Sequence, residues 1–364
     1  MALTLDDQVR RSTGVTTIAQ EVRMATAAEF DAMRLAISLA QSADFPPGPN
    51  PRVGCVIVDP QGVSLSSGAH EGAGTPHAEV VALGAAGTSA RGATAVVTLE
   101  PCAHTGRTGP CTQALIDAGI ARVVFAQQDP NPAAAGGAAV LREAGLDVES
   151  GILAEASRAI NPKWSAAVAR GWPFVTLKIA ASLDGKIAAP DGSSRWITGE
   201  AARHQVHALR SESGAVMVGI GTVIADDPAL TDRRVGASYQ PIPVVIGHRD
   251  VPATSKLAGS GAITLRTHDL AFALRTLYER GIRSVLVEGG PTISTALLRE
   301  GLVDELIWYV APCVAGGGLP AVQDLGVTTI DQMRRLTLTS VTQVGEDIRI
   351  DMLPARVANQ GGED

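Results

Sequence analysis

Apolar positions along the chain change period repeatedly, and the changes mark out an alternating set of helices and strands. Thr26-Ala-Ala-Glu29 has the spacing of a helix capping box. Behind it Phe30, Met33 and Ile37 recur at helical spacing, with Leu35 and Leu39 beside them. Pro46-Pro47-Gly48-Pro49-Asn50 ends that helix. Val53 to Val58 is an unbroken apolar run, as expected of a strand covered on both faces, and Asp59-Pro-Gln-Gly62 is a turn. A helix is predicted from about Pro76-His77 through Val80, Val81 and Leu83. It is followed by strand Ala95–Leu99, helix Thr112–Ala118, strand Arg122–Ala126 and helix Ala138–Ala144.

Periodicity weakens from Asn161 to Pro173, where Pro162, Gly171 and Pro173 fall, and a domain boundary is placed there. A second alternating block follows. It comprises strand Phe174–Ser182, helix Glu200–Ser211, strands Ala215–Gly219 and Val244–Gly247, helix Asp269–Arg280, strand Ser284–Glu288, helix Thr292–Glu300 and strand Glu305–Val310. Residues 1–24 are polar and aperiodic and read as an extension; the tail after Pro354 is polar and expected to fray. The domains are therefore expected at 25–165 and 172–355, each an α/β unit with helices on the faces of a sheet.

A length of 364 residues suits two domains of this kind, and 45% apolar residues suffice for two cores. Thirty basic residues face 37 acidic ones, a net charge of −7. That balance, without a basic stripe, disfavours a grip on nucleic-acid backbone. Four cysteines in so long a chain fit a metal site better than a disulfide framework. The most apolar stretch, Gly214 to Ala225, is too short and too rich in glycine to cross a bilayer. The first residues lack the basic-then-apolar order of a secretory signal. A cytoplasmic protein with no membrane contact is expected.

His77-Ala-Glu79 stands at a helix start, Pro101-Cys102 leaves a strand, and Cys111 opens another helix. One imidazole and two thiolates make three ligands of a catalytic zinc, whose fourth position is kept for water. Glu79, two residues from a ligand, is placed to move the water proton to a leaving nitrogen, the arrangement of zinc-dependent deaminases. His-x-Glu alone recurs by chance, and two cysteines alone are commonly buried small hydrophobes. The combination in this order is what carries the reading. Cys55 lies in a strand and reads as core; Cys313 is remote from the other ligands. The loop from Ala103 to Pro110 is polar, with Arg107 in it. A solvated loop and a contact to substrate phosphate or base both fit it.

Asn50-Pro51-x-Val53-Gly54-Cys55, His77-Ala-Glu79, Leu99-Glu-Pro-Cys-x-His-x-Gly-Arg-Thr108, Cys111 and Asp129-Pro-Asn-Pro132 together resemble the deaminase half of the bifunctional riboflavin-biosynthesis RibD family. The eight residues between the cysteines, unlike a Pro-Cys-x-x-Cys run, favour this family over cytidine or tRNA deaminases. The resemblance implies zinc on His77, Cys102 and Cys111, Glu79 as proton shuttle, and Asn50 and His70 lining the substrate pocket.

In the second half, Lys178-Ile-Ala-Ala-Ser-Leu-Asp184-Gly185 reads by itself as a strand and hairpin turn. Trp196 stands in the polar loop Ser194–Thr198, where a ring can stack on a flat ligand. Gly219-Ile-Gly221-Thr222 follows a strand, but Ile224 breaks the GxGxxG pattern of a conventional dinucleotide fold. Asp226-Asp227-Pro228-Ala-Leu230-Thr231 is an acidic turn. Glu288-Gly289-Gly290-Pro291-Thr292 leaves a strand for a helix; a tight turn and a phosphate-binding helix start both fit. In order, these motifs resemble the pyrimidine reductase half of the same family, over about residues 26–354 in all. The implied fold is a cytidine-deaminase-like α/β/α domain followed by a dihydrofolate-reductase-like α/β domain. The implied NADPH contacts are Ala180, Trp196, Thr222, Asp226 and Gly290, Pro291, Thr292, Ile293, Ser294, Thr295 and Ala296. Ser194, Arg210, Leu230, Arg233 and Glu288 would contact substrate. His248 stands where a small hydroxyl residue is expected near the cofactor.

The function this implies is hydrolytic deamination of 2,5-diamino-6-ribosylamino-4(3H)-pyrimidinone 5′-phosphate, then NADPH-dependent reduction of its ribosyl group to ribityl, in a homo-oligomer joined through the reductase domain. A nucleic-acid base deaminase with an accessory domain is disfavoured by the acidic balance. A non-catalytic zinc-stabilised pyrimidine-binding module is disfavoured by Glu79, which a structural site does not need.

Overall fold

A computed structural model describes residues 24–104 and 109–355. The extension before Met24, residues 105–108 and the tail from 356 lie outside the described residues.

Helix α1 (Ala27–Ser42) begins at the expected capping box. The Thr26 hydroxyl accepts from Glu29 N at 3.2 Å, and Thr26 N donates to the Glu29 carboxylate at 2.7 Å. Strand β1 (Gly54–Val58) follows, then β2 (Ser64–Ala69), α2 (Ala78–Ala86), β3 (Thr94–Leu99), α3 (Cys111–Asp117), β4 (Arg122–Gln127), α4 (Gly137–Glu143) and β5 (Asp147–Ser150). The strands form one sheet in the order β2-β1-β3-β4-β5, antiparallel at β2-β1-β3 and parallel from β3 to β5. β1 is apolar throughout because both its faces are covered. Cys55 and Ile57 pack with Ala78 and Ala82 of α2, whereas Val56 and Val58 pack with Met33 and Ile37 of α1. Gly54 has a steric reason: a Cβ there would lie 2.0 Å from the Ala36 carbonyl oxygen on α1.

The junction stretch holds a helix, and its breakers are that helix's ends. After α5 (Ala154–Arg158), Pro162 opens α6 (Pro162–Arg170) at the first turn and Gly171 closes it at φ 83°. α6 bridges the two units. Trp164 and Val168 join the first core, while Lys163 lies 3.6 Å from Glu305 and Arg170 pairs with Asp304 on the second.

The second unit contains β6 (Phe174–Ser182), β7 (Lys186–Ala188), α7 (Glu200–Ser211), β8 (Ala215–Gly219), α8 (Ile220–Asp226), β9 (Ile242–Ile246), β10 (Ile263–Leu265), α9 (Leu270–Glu279), β11 (Ser284–Val287), α10 (Pro291–Glu300), β12 (Glu305–Ala311), β13 (Leu319–Pro320), β14 (Leu336–Val344) and β15 (Asp347–Pro354). Eight strands form a sheet in the order β10-β9-β8-β11-β6-β12-β15-β14; it is parallel as far as β12 and antiparallel beyond. Strands β7, β10, β13, β14 and β15 are absent from the sequence reading, and two of its motifs fold differently from it. β7 pairs with β13 and not with β6, so the Leu183-Asp184-Gly185 turn does not close a two-strand hairpin. The Gly219-Ile-Gly221-Thr222 segment turns straight into α8.

Candidate active sites

The first site sits where three chain segments leave the sheet together. His77 is the N-cap of α2, Cys102 follows β3, and Cys111 is the first residue of α3. His77 Nδ1 lies 3.1 Å from Cys111 Sγ and 3.6 Å from Cys102 Sγ, and Cys111 N donates to Cys102 Sγ at 3.4 Å. All three ligand atoms fall within 4.8 Å of one another. A tetrahedral zinc with ordinary Zn–S and Zn–N bonds needs ligand separations of about 3.5–3.8 Å, so this soft donor set fits the ion. Hydrogen bonds within the donor set shift its members in opposite directions. A hydrogen bond with Cys111 pulls the Cys102 thiol down to about 4 against its burial, and Cys111 is held protonated. A hydrogen bond with Cys102 raises His77 against its burial.

Glu79 is buried one turn into α2, and burial raises its carboxyl group. It opens on a cavity of about 650 Å³ with the three ligands' neighbours around it. Asn50 and His70 stand in the same wall. The Asn50 amide lies 2.9 Å from His70 Nε2, and His70 Nδ1 lies 3.0 Å from the Pro76 carbonyl oxygen. Burial holds His70 below its usual range, so it is a neutral partner of Asn50 near pH 7. Four residues of this wall were not assigned from the sequence: Glu100, Asp129, Asn131 and Trp164. The Glu100 carboxylate accepts from Asp129 N at 3.2 Å and Ala138 N at 2.9 Å, pinning the Asp129-Pro-Asn-Pro132 loop. Burial and then the Glu100 charge push Asp129 up to about 6. The signal available was that loop's own motif, quoted above without a role.

The second site is a pair of adjoining cavities at the carboxyl ends of the parallel strands, as open α/β sheets place their ligands. One, about 430 Å³, is lined by Ala180, Ser194, Trp196, Arg210, Thr222, Asp226, Leu230, Arg233 and Glu288. The other, about 380 Å³, is lined by Gly290, Pro291, Thr292, Ile293 and Ala296. Ser194, Thr222 and Asp226 line both and form the shared wall. Ala180 and Trp196, assigned to the cofactor by resemblance, open on the first cavity. Ser294 and Thr295 are buried beneath the second: Ser294 Oγ donates to Gly290 O at 3.1 Å, and Thr295 Oγ1 accepts from Gln323 N at 2.8 Å. Gly289 is required because a Cβ would lie 1.9 Å from Ile293 Cγ2, and Gly290 N donates to Thr222 Oγ1 at 3.3 Å. His248 stacks on His268 at 4.7 Å; His268 and Arg249 line the second cavity, and His248 does not.

A buried charged cluster crosses the larger of these two cavities. Arg210 forks onto Glu288, with Nε–Oε1 2.6 Å and Nη2–Oε2 3.0 Å, and donates through Nη1 to Thr231 O at 2.9 Å. Lys178 lies 3.9 Å from the same carboxylate. Burial alone would raise Glu288, but Arg210 and Lys178 outweigh it and keep it ionised. Arg233 is exposed and has no carboxylate partner among the described residues; its Nη2 lies 3.4 Å from His207 Nε2. Trp196 is two-thirds exposed, with the Arg203 guanidinium 4.5 Å from its ring centroid.

Known proteins match both halves. The family described as cytidine and deoxycytidylate deaminase zinc-binding region matches residues 27–127, and the family described as RibD C-terminal domain matches residues 173–350. Riboflavin biosynthesis protein RibD of Mycobacterium tuberculosis H37Rv is 46% identical over 330 residues, covering 89% of this chain and 96% of its own. The protein of the same name from Escherichia coli K12 is 41% identical over 362 residues, covering 89% and 98%. Among solved structures, Acinetobacter baumannii RibD aligns with TM-score 0.81 and 42% identity, over 90% of this chain and 99% of that one. A Thermotoga maritima diaminohydroxyphosphoribosylaminopyrimidine deaminase/5-amino-6-(5-phosphoribosylamino)uracil reductase aligns with TM-score 0.76 and 33% identity over the same shares.

Proposed function

The chain belongs to the RibD family of bifunctional riboflavin-biosynthesis enzymes, and from that membership we propose what each of its sites does. The first cavity takes 2,5-diamino-6-ribosylamino-4(3H)-pyrimidinone 5′-phosphate and releases its 2-amino group as ammonia. The second pair of cavities takes the deaminated product with NADPH and reduces its ribosyl group to ribityl. The single observation that carries this is one chain holding a His77, Cys102 and Cys111 ligand cluster beside Glu79, and a separate pair of cavities sharing a wall.

In the first site His77, Cys102 and Cys111 hold zinc, which supplies Lewis acidity and a water of lowered pKa. Glu79 takes a proton from the attacking water and gives it to the leaving nitrogen; its raised carboxyl suits a group that must both accept and donate near neutrality. Asn50, oriented by neutral His70, presents its amide to the pyrimidine edge.

In the second site Gly290, Pro291, Thr292, Ile293 and Ala296, with Thr222, receive the cofactor, Ser294 and Thr295 lie beneath them, and NADPH supplies the hydride. Glu288 is held ionised and rigid by Arg210 and Lys178 and accepts from the substrate's polar groups. Arg233, with its free donors at the cavity rim, binds the substrate phosphate. Arg210 takes part through the donors that Glu288 and Thr231 leave open. Trp196, at the larger cavity, offers its ring to stack on the flat pyrimidine.

No helix among the described residues is long and apolar enough to cross a membrane. The homo-oligomer reading rests on β14, which is exposed along almost its whole length at the sheet edge and carries Leu336, Leu338 and Val341 outward. The deciding experiment supplies the purified chain with the diaminopyrimidine phosphate and NADPH and follows ammonia and NADPH separately. Ammonia first and stoichiometric NADPH oxidation after it are expected. Ammonia without NADPH oxidation, or the reverse, removes one of the two assignments.

A further inference from the structure

The first cavity is not built by the first domain alone. The α9 end of the second domain, Glu279 to Arg283, forms part of its wall. Tyr278 packs on the first core, and a Cβ on Gly281 would lie 3.4 Å from Pro49 Cβ, next to Asn50. Among the described residues lining this cavity, every Lys or Arg comes from that segment: Arg280 and Arg283. The remaining charged lining, apart from histidines, is acidic: Glu79, Glu100, Asp129 and Glu279. A phosphate dianion entering such a cavity needs a cation, and among the described lining residues Arg280 and Arg283 are the Lys or Arg side chains that can supply one.

Arg283 is poised for an anion. Its Nη1 caps α9 through the Tyr278 and Ile282 carbonyl oxygens at 2.6 and 3.3 Å, and its guanidinium lies 3.9 Å from the centroid of the Tyr278 ring. No carboxylate pairs with it among the described residues, its Nη2 has no protein partner there, and its buried Nε has no hydrogen-bond partner. A half-buried guanidinium without a counter-charge is costly unless a ligand supplies one. Arg280 is exposed at the rim of the same cavity.

We propose that Arg280 and Arg283 of the second domain bind the 5′-phosphate of the substrate in the deaminase cavity, so that the reductase domain completes the deaminase site. This rests on the deaminase reading above. The reacting ring carbon and the phosphate lie at opposite ends of that substrate, which suits a cavity with the zinc ligands in one wall and these guanidinium groups in another.

The test measures ammonia release by the full chain from the pyrimidine phosphate and from its dephosphorylated riboside, for wild type, Arg283→Gln, Arg280→Gln and Arg283→Lys. Loss of a charge-assisted hydrogen bond corresponds to roughly a ten- to hundred-fold rise in KM. That rise is expected for Arg283→Gln on the phosphate alone. Arg280→Gln should show a smaller rise and Arg283→Lys an intermediate one. Activity on the riboside and reduction of pre-deaminated substrate should stay within about twofold, the range in which no charge-assisted bond is lost. Ribose 5-phosphate, titrated calorimetrically into chains that also carry Arg233→Ala to remove the reductase phosphate contact, should bind when Arg280 and Arg283 are intact and weaken in the same order. Unchanged KM in both Gln variants, or an equal rise on phosphate and riboside, overturns the proposal. If Arg283→Gln misfolds, Arg280→Gln and Arg283→Lys decide. A wild-type chain that releases no ammonia from either compound defeats the deaminase reading, while ribose 5-phosphate binding then still reports on the two arginines, and its absence overturns them too.

Discussion

Glu79→Gln separates the roles of the first site cleanly. The side chain is 4% exposed and sits in the first turn of α2, two residues beyond the ligand His77. Glutamine keeps its shape, so no cavity opens and no zinc ligand is lost. The acid also loses its place beside a helix N-terminus, worth about 0.3–1 kcal/mol, and that loss is countered by no longer burying a carboxyl whose pKa burial has already raised. Stability should therefore change by less than about 1 kcal/mol. Catalysis should not survive so well, because an amide cannot carry the proton between water and leaving nitrogen. General acid–base catalysis of this kind contributes about 10²- to 10⁴-fold, or roughly 3–5.5 kcal/mol of barrier. Glu79 lines neither cavity of the second site, so reduction should be untouched. The assay is colorimetric ammonia release from the diaminopyrimidine phosphate, run beside NADPH oxidation with pre-deaminated substrate and a zinc determination on each preparation. Deamination within about threefold of wild type, well short of the loss expected when a general acid–base group is removed, would falsify the shuttle assignment. Loss of zinc, or of reductase activity in a folded variant, would refute the separation of roles.

Cys102→Ala should lower zinc content from about one ion per chain toward none and abolish ammonia release with it; retained stoichiometric zinc would exclude Cys102 as a ligand. Arg233→Ala should raise the reductase KM for the pyrimidine phosphate with little change in Tm. Arg210→Ala should lower Tm as well, because Glu288 loses its bidentate partner and keeps only Lys178 at 3.9 Å; equal thermal stability of the two variants would contradict this. Asp232 is buried, yet its hydrogen bonds and charge pairing with Arg234 bring it down to about 2. A depressed folded pKa contributes stability above the ordinary carboxylate range and loses it as pH falls toward 2. The Tm gap between wild type and Asp232→Asn should thus be wide at neutral pH and close between about pH 4 and 2; a pH-independent gap would show that the pairing does not contribute.

Local chemistry by itself determined a large part of this protein. The Thr26–Glu29 capping box, the apolar runs at β1, β3 and β4, and the boundaries of β6, α7 and β8 all follow from spacing within a few residues. The zinc ligands were legible for the same reason: each is tied to an element end, and element ends are marked by short-range signals such as Pro101 and Pro110. Tertiary structure decided what depends on neighbours distant in sequence. β2 has no apolar alternation for periodicity to reveal, whereas Leu336 and Leu338 alternate with threonine along β14, a strand signal that the sequence reading did not use. α6 was hidden because its Pro and Gly read as a break, although Trp164, Ala167 and Val168 recur at helical spacing. The partner of Arg210 is a carboxylate 78 residues away, and it turns a guanidinium read as a substrate contact into one already forked onto Glu288. Arg280 and Arg283 meet the deaminase cavity only because the second domain docks its α9 end against Pro49 and the first core. Burial, long-range pairing and domain contact are properties of the folded surface as a whole, and no window of sequence contains both sides of them.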